Sequence, residues 1–100
     1  MWAQLIKARV RPGKQGEVEK VQKEFEQRGQ GGSTGWVRSI TLQNQKDPDE
    51  YFTLVFFESE EKARENERSP EQQKLVQQLM EVFEGQPSYV DLIPIYEGSR

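Results

Sequence analysis

The chain is 100 residues long, with 33% hydrophobic and 31% charged residues and a formal net charge of −3. That size fits one domain with a modest core, and the mixed, slightly acidic charge argues against nucleic acid as a partner. It contains no cysteine and no histidine, which excludes disulfides, thiol nucleophiles and imidazole bases, and leaves no metal or cofactor to be expected.

Residues 2–10 alternate as a strand, with Trp2, Ile6, Ala8 and Val10 on one face and Ala3 and Leu5 on the other. Arg11-Pro12-Gly13 ends it. Residues 14–28 read as a helix in which Val18, Val21 and Phe25 form a narrow apolar stripe, with Gly29 placed to stop it. The glycine-rich stretch 29–35 carries too little apolar content to pack. Residues 36–44 and 51–58 form two strands, joined by a reversal expected at Asp47-Pro48-Asp49 into an antiparallel hairpin. Ser59 caps a short helix to about Glu67. Ser69-Pro70-Glu71-Gln72 then has the form of a capping box, and Leu75, Val76, Leu79, Met80 and Phe83 line one face of the helix that follows. Residues 88–96 form the last strand, where Pro94 requires an edge or a bulge.

The order is β-α-β-β-α-β, the ferredoxin-like α+β plan with a four-stranded antiparallel sheet. Phe52, Leu54 and Phe56 share one face of the third strand, and Tyr51, Val55 and Phe57 the other. One helical layer covers one sheet face only. A second copy of the chain is the expected cover for the other, giving a homodimer through the sheet face. Lys7, Arg9, Arg11 and Lys14 read as a solvated rim rather than a phosphate-binding patch. No apolar run is long enough to span a membrane, and no secretory signal is visible, so a cytoplasmic location is expected.

The stretch 56–70, FFESEEKARENERSP, resembles the core of the antibiotic biosynthesis monooxygenase-like domains of the dimeric α+β barrel superfamily, with the third strand running into an E-S-x-x-x-A segment and a helix break at Ser69-Pro70. Element order and the Arg-Pro-Gly-Lys after the first strand agree. The resemblance implies a dimeric α+β barrel. It also implies a cofactor-independent oxygenase, or a relative, acting on a small aromatic or quinone-type molecule. Where the family carries tryptophan at the end of strand 3 and histidine before the Ser-Pro, this chain has Phe57 and Asn66. Haem degradation, which depends on that histidine, is therefore not expected.

Five residues are candidates for the site. Asn66 would hydrogen-bond a substrate carbonyl or developing oxyanion, or else serve as a polar residue on a solvated short helix or a cap before Ser69. Arg38, on the same strand face as Trp36 by alternation, would orient an anionic substrate or form an ion pair. Trp36 and Phe57 would line an aromatic pocket or simply pack. Asp91, flanked by Val90 and Leu92, would act as a base if burial raised its pKa, or else form a salt bridge. The alternative to an enzyme is a non-catalytic binding or structural protein on the same fold.

Overall fold

The computed structural model describes residues 1–100. Its elements are β1 (Trp2–Arg9), α1 (Gln15–Gly29), β2 (Trp36–Asn44), β3 (Asp47–Phe57), α2 (Glu60–Glu67), α3 (Pro70–Val82) and β4 (Ser88–Leu92). The four strands form one antiparallel sheet in the order β2-β3-β1-β4. The helices lie on one face of it. This is the ferredoxin-like α+β plan, with its second helical segment broken in two between Glu67 and Pro70.

The break follows from local chemistry. Ser59 accepts from the Lys62 N–H at 3.1 Å and so starts α2, while Ser69 accepts from the Gln72 N–H at 3.1 Å and starts α3 with Pro70 in its first turn. Each serine satisfies an amide that a helix start would otherwise leave unpaired. Only half of the expected capping box forms, because the Gln72 side chain accepts from Arg28 instead.

Two expectations about the strands need correction. The reversal between β2 and β3 is Gln45-Lys46, and Asp47-Pro48-Asp49 is extended. Arg9 holds the Asp47 carboxylate through two bonds, at 2.8 and 3.2 Å, and the Val10 N–H donates to the Asp49 carbonyl at 2.8 Å. Those contacts pull the segment onto β1 and outweigh its turn-forming composition. β4 ends at Leu92 rather than at residue 96. It is an edge strand paired with β1 alone, and Pro94 has no N–H to continue the ladder.

Gly29 is the last residue of α1, so the helix ends where expected, but the residue after it, Gln30, is right-handed helical and no left-handed glycine cap is present. Its function is close approach: a Cβ there would stand 2.7 Å from Cε3 and 3.3 Å from Cβ of Trp36. The loop that follows is tied down, with Thr34 buried and accepting from the Trp36 N–H, and the Gly35 carbonyl accepting from the Glu58 N–H.

The core is split. Ala8, Val10, Val18, Val82 and Phe83 pack at one end of the helix–sheet interface. Trp2, Phe57 and Ala63 pack at the other, with Trp36 and Val55 against them. The two clusters join the layers at opposite ends of β1. Between them the sheet presents Gln4, Thr41 and Thr53, polar residues that close packing would not favour. The outer sheet face is apolar and open: Leu42 is 58% exposed with Ile40 exposed beside it on β2, and Val90 and Leu92 are exposed on β4 at the opposite edge.

Candidate functional site

The gap between the two clusters is a cavity of about 1230 Å³ between the helical layer and the sheet. It is not filled by core side chains. Its aromatic end is made by Trp2, Trp36 and Phe57. Trp2 and Phe57 are tilted neighbours with ring centroids 6.4 Å apart. Trp36 reaches this position because Gly29 offers no side chain in its way. The middle of the floor is polar: Gln22 of α1 donates to Thr41 at 2.8 Å, and Thr41 shares a hydrogen bond with Thr53 at 3.0 Å.

Asn66 stands in the wall, in the last turn of α2, and is only 8% exposed. Its Oδ1 accepts from Nη1 of Arg28 at 2.5 Å. Arginine can only donate, which fixes the amide orientation. Asn66 Nδ2 donates to no group in the chain. No buried side-chain nitrogen or oxygen is left without a partner anywhere in the molecule, so this nitrogen is not sealed from solvent, and Asn66 lines the cavity. Asn66 therefore presents a held, unoccupied donor to whatever fills that space.

Trp36 and Phe57 meet Asn66 at this cavity, whereas Arg38 borders it but directs its guanidinium away. A β-bulge between Trp36 and Arg38 pairs Trp36 with Phe57 but Arg38 with Phe56. The extra residue turns Arg38 onto the outer face, where its guanidinium lies 5.0 Å from the Phe56 ring centroid and 4.0 Å from Glu97. The expectation that Trp36 and Arg38 share a face fails for this reason.

Asp91 faces the helical side but is not set up as a base. Gln4 donates to it at 3.0 Å and Arg64 at 2.7 Å. These bonds, with the Gln4 bond the larger effect, hold its carboxyl below the usual carboxylate range. Arg64 also pairs with Glu60 and Glu67 and lies over the Trp2 ring at 5.0 Å. Its three carboxylate partners raise its already high pKa. Asp91 and Arg64 thus tie β4 to α2. Tyr89, on the same strand, has its pKa raised by partial burial and then by Glu67.

The residue that sequence reasoning missed is Arg28. Its Nη1 donates to Asn66 and to Gln72 at 3.0 Å, and its Nη2 to Ser69 at 2.7 Å. One side chain from α1 thereby clasps both α2 and α3. The available signal was spacing: Arg28 follows Val18, Val21 and Phe25 on the same helical stripe. Elsewhere, Lys7, Arg9 and Lys14 are ion-paired to Glu50, Asp47 and Glu17. No group of three or more Asp or Glu residues is placed to hold a metal ion, and no helix is long and apolar enough to cross a membrane.

A ferredoxin-like sheet with a helix-covered cavity, aromatic at one end and with an asparagine amide in its wall, defines a class of small α+β proteins. The chain belongs to the antibiotic biosynthesis monooxygenase family, whose model matches residues 1–78. No curated protein sequence matches it. Among solved structures, it is similar to a candidate antibiotic biosynthesis monooxygenase from Nitrosomonas europaea, at 14% identity and a TM-score of 0.80 over 96% of this chain and 100% of that one. A candidate of the same description from Caulobacter crescentus has 15% identity and a TM-score of 0.82, over 95% and 90% of the two chains. SnoaB from Streptomyces nogalater, a cofactor-independent oxygenase solved as an asparagine-to-alanine variant, has 12% identity and a TM-score of 0.82, over 96% and 94%. At these identities the structural likeness establishes the fold.

Proposed function

We propose that the chain is a cofactor-independent monooxygenase acting on a small aromatic or quinone-type molecule held in the helix-side cavity. The observation that carries this is the unoccupied Nδ2 donor of Asn66, held by Arg28 beside the Trp2–Trp36–Phe57 end. The family and the activity named for SnoaB support the reaction type. With an anthrone, the ionised substrate passes one electron to dioxygen, and the two radicals combine as a hydroperoxide at the former CH₂ carbon. Loss of water then leaves a carbonyl. One oxygen atom ends in the product, and the other leaves as water with the two hydrogens. Asn66 donates to the substrate oxygen on which negative charge develops. The chain has no histidine, and Asp91 is committed to Gln4 and Arg64. The reaction therefore suits substrates acidic enough to ionise without a strong protein base.

The test is oxygen uptake with anthrones and hydroquinones, comparing wild type with Asn66→Ala. Loss of one such donor lowers kcat by about 10²–10³-fold. Uptake that is indifferent to Asn66 would remove its role. Saturable binding without uptake would identify a binding protein instead.

We also propose that two copies pair through the outer sheet face. Ile40, Leu42, Val90 and Leu92 are exposed there, and Ile93, Ile95 and Tyr96 after β4 are more exposed still. A second chain is the simplest cover for so much apolar surface.

A further inference from the structure

Four cations line the cavity: Lys23, Arg28, Arg38 and Arg64. Lys23 pairs with Glu19, Arg38 approaches Glu97, and Arg64 pairs with three carboxylates. Arg28 alone has no acidic partner. Its three acceptors, from Asn66, Gln72 and Ser69, are all neutral. They fix the guanidinium without cancelling its charge. The C-terminal end of α1 favours a cation there, but a helix end compensates only part of a unit charge. The one unpaired acid lining the cavity on the same helix, Glu26, sits two residues away and so faces a different direction.

Three of the five guanidinium N–H groups are used in these bonds, leaving Nε–H and one N–H on Nη2. Those two can lie parallel, a geometry that matches a carboxylate or one ionised oxygen. Arg28 also holds Asn66, so its charge lies next to the open Nδ2 donor. Resting on the proposed aromatic site, we propose that Arg28 is a specificity residue selecting aromatic ligands that carry an anionic oxygen, either a carboxylate or an ionised phenol.

Matched probes separate charge from shape. Naphthoate and naphthamide share a ring and differ in charge, and dinitronaphthol supplies a phenolate at neutral pH. Binding is read from the quenching of Trp2 and Trp36 fluorescence and by calorimetry. Wild type should bind naphthoate, dinitronaphthol or both about tenfold or more tightly than naphthamide. Which anion benefits identifies carboxylate or phenolate as the group read. In Arg28→Gln that preference should collapse toward unity, while Arg28→Lys should retain part of it. If the Gln variant does not fold, the Arg28 Nε–H resonance in wild type should shift on addition of the preferred anion and not of naphthamide.

Equal binding of the anions and naphthamide would overturn the role of Arg28 while leaving an aromatic site intact. So would a preference that survives Arg28→Gln, or an Nε–H resonance that does not move. Failure of all three probes to bind would overturn the aromatic site and the Arg28 role together.

Discussion

Replacing Gly29 by alanine sets two effects against each other. In an ordinary helix the change stabilises by about 0.5–1 kcal/mol, because glycine loses more backbone freedom on folding. Here the new methyl would stand 2.7 Å from Trp36 Cε3 and 3.3 Å from its Cβ. Those atoms lie near the root of a large side chain that is packed against Trp2, Phe57 and Ala63, so Trp36 cannot swing aside without opening that cluster. Overpacking of this kind costs roughly 1–3 kcal/mol. At the middle of both ranges the clash wins, and Gly29→Ala should destabilise by about 1 kcal/mol, a fall in Tm of roughly 4–8 °C for a domain of this size. Urea unfolding followed by far-UV circular dichroism measures it. Adding Trp36→Ala should abolish the penalty, since the methyl would then enter vacated space, and the double-mutant cycle should report that coupling. A Gly29→Ala protein more stable than wild type would refute the reasoning and would mean that Trp36 is not seated against α1.

Val10 has no exposed surface, so Val10→Ala should cost about 2 kcal/mol in denaturant unfolding, from lost transfer energy and an unfilled gap. Ser69→Ala removes both the α3 cap and one Arg28 acceptor, and should cost about 1–2 kcal/mol. For Asp91 the folded pKa lies below the unfolded one. Its contribution is therefore present above the ordinary carboxylate pKa of about 4 and is lost as pH falls through the lower folded value. Asp91→Asn should lower Tm at neutral pH and flatten the decline of Tm in acid, and an unchanged acid profile would contradict the bond to Arg64. Leu42→Asp, at an exposed outer-face position, should leave chain folding within about 0.5 kcal/mol yet halve the mass seen by light scattering. A wild type that is monomeric at micromolar concentration would remove the dimer.

Much of the fold was legible because local and long-range signals agree along the chain. The alternation of Tyr51, Val55 and Phe57 against Phe52, Leu54 and Phe56 assigned both faces of β3, and the register with β1 bears it out. Ser59 and Ser69 marked two helix starts through the same capping chemistry that the structure uses. Other features depended on partners distant in sequence. Asp47-Pro48-Asp49 has the composition of a turn, and only Arg9 and Val10, nearly forty residues earlier, make it a strand. Strict alternation placed Arg38 with Trp36, and one bulged residue reversed it. Gly29 does end α1, but its close approach to Trp36 is met only in three dimensions. Arg28 was missed for a related reason. A charged residue at the end of an apolar stripe looks solvated until the acceptors on α2 and α3 are seen around it.

The most direct test is a titration of isotope-labelled protein with dithranol, an anthrone, under anaerobic conditions, following the side-chain amide of Asn66 and the indole N–H groups of Trp2 and Trp36. Saturable shifts of these signals, with the outer-face residues Ile40 and Leu42 unmoved, are the expected result. Shifts confined to Ile40, Leu42 and the other outer-face residues, with Asn66 unmoved, would contradict the helix-side cavity as the site.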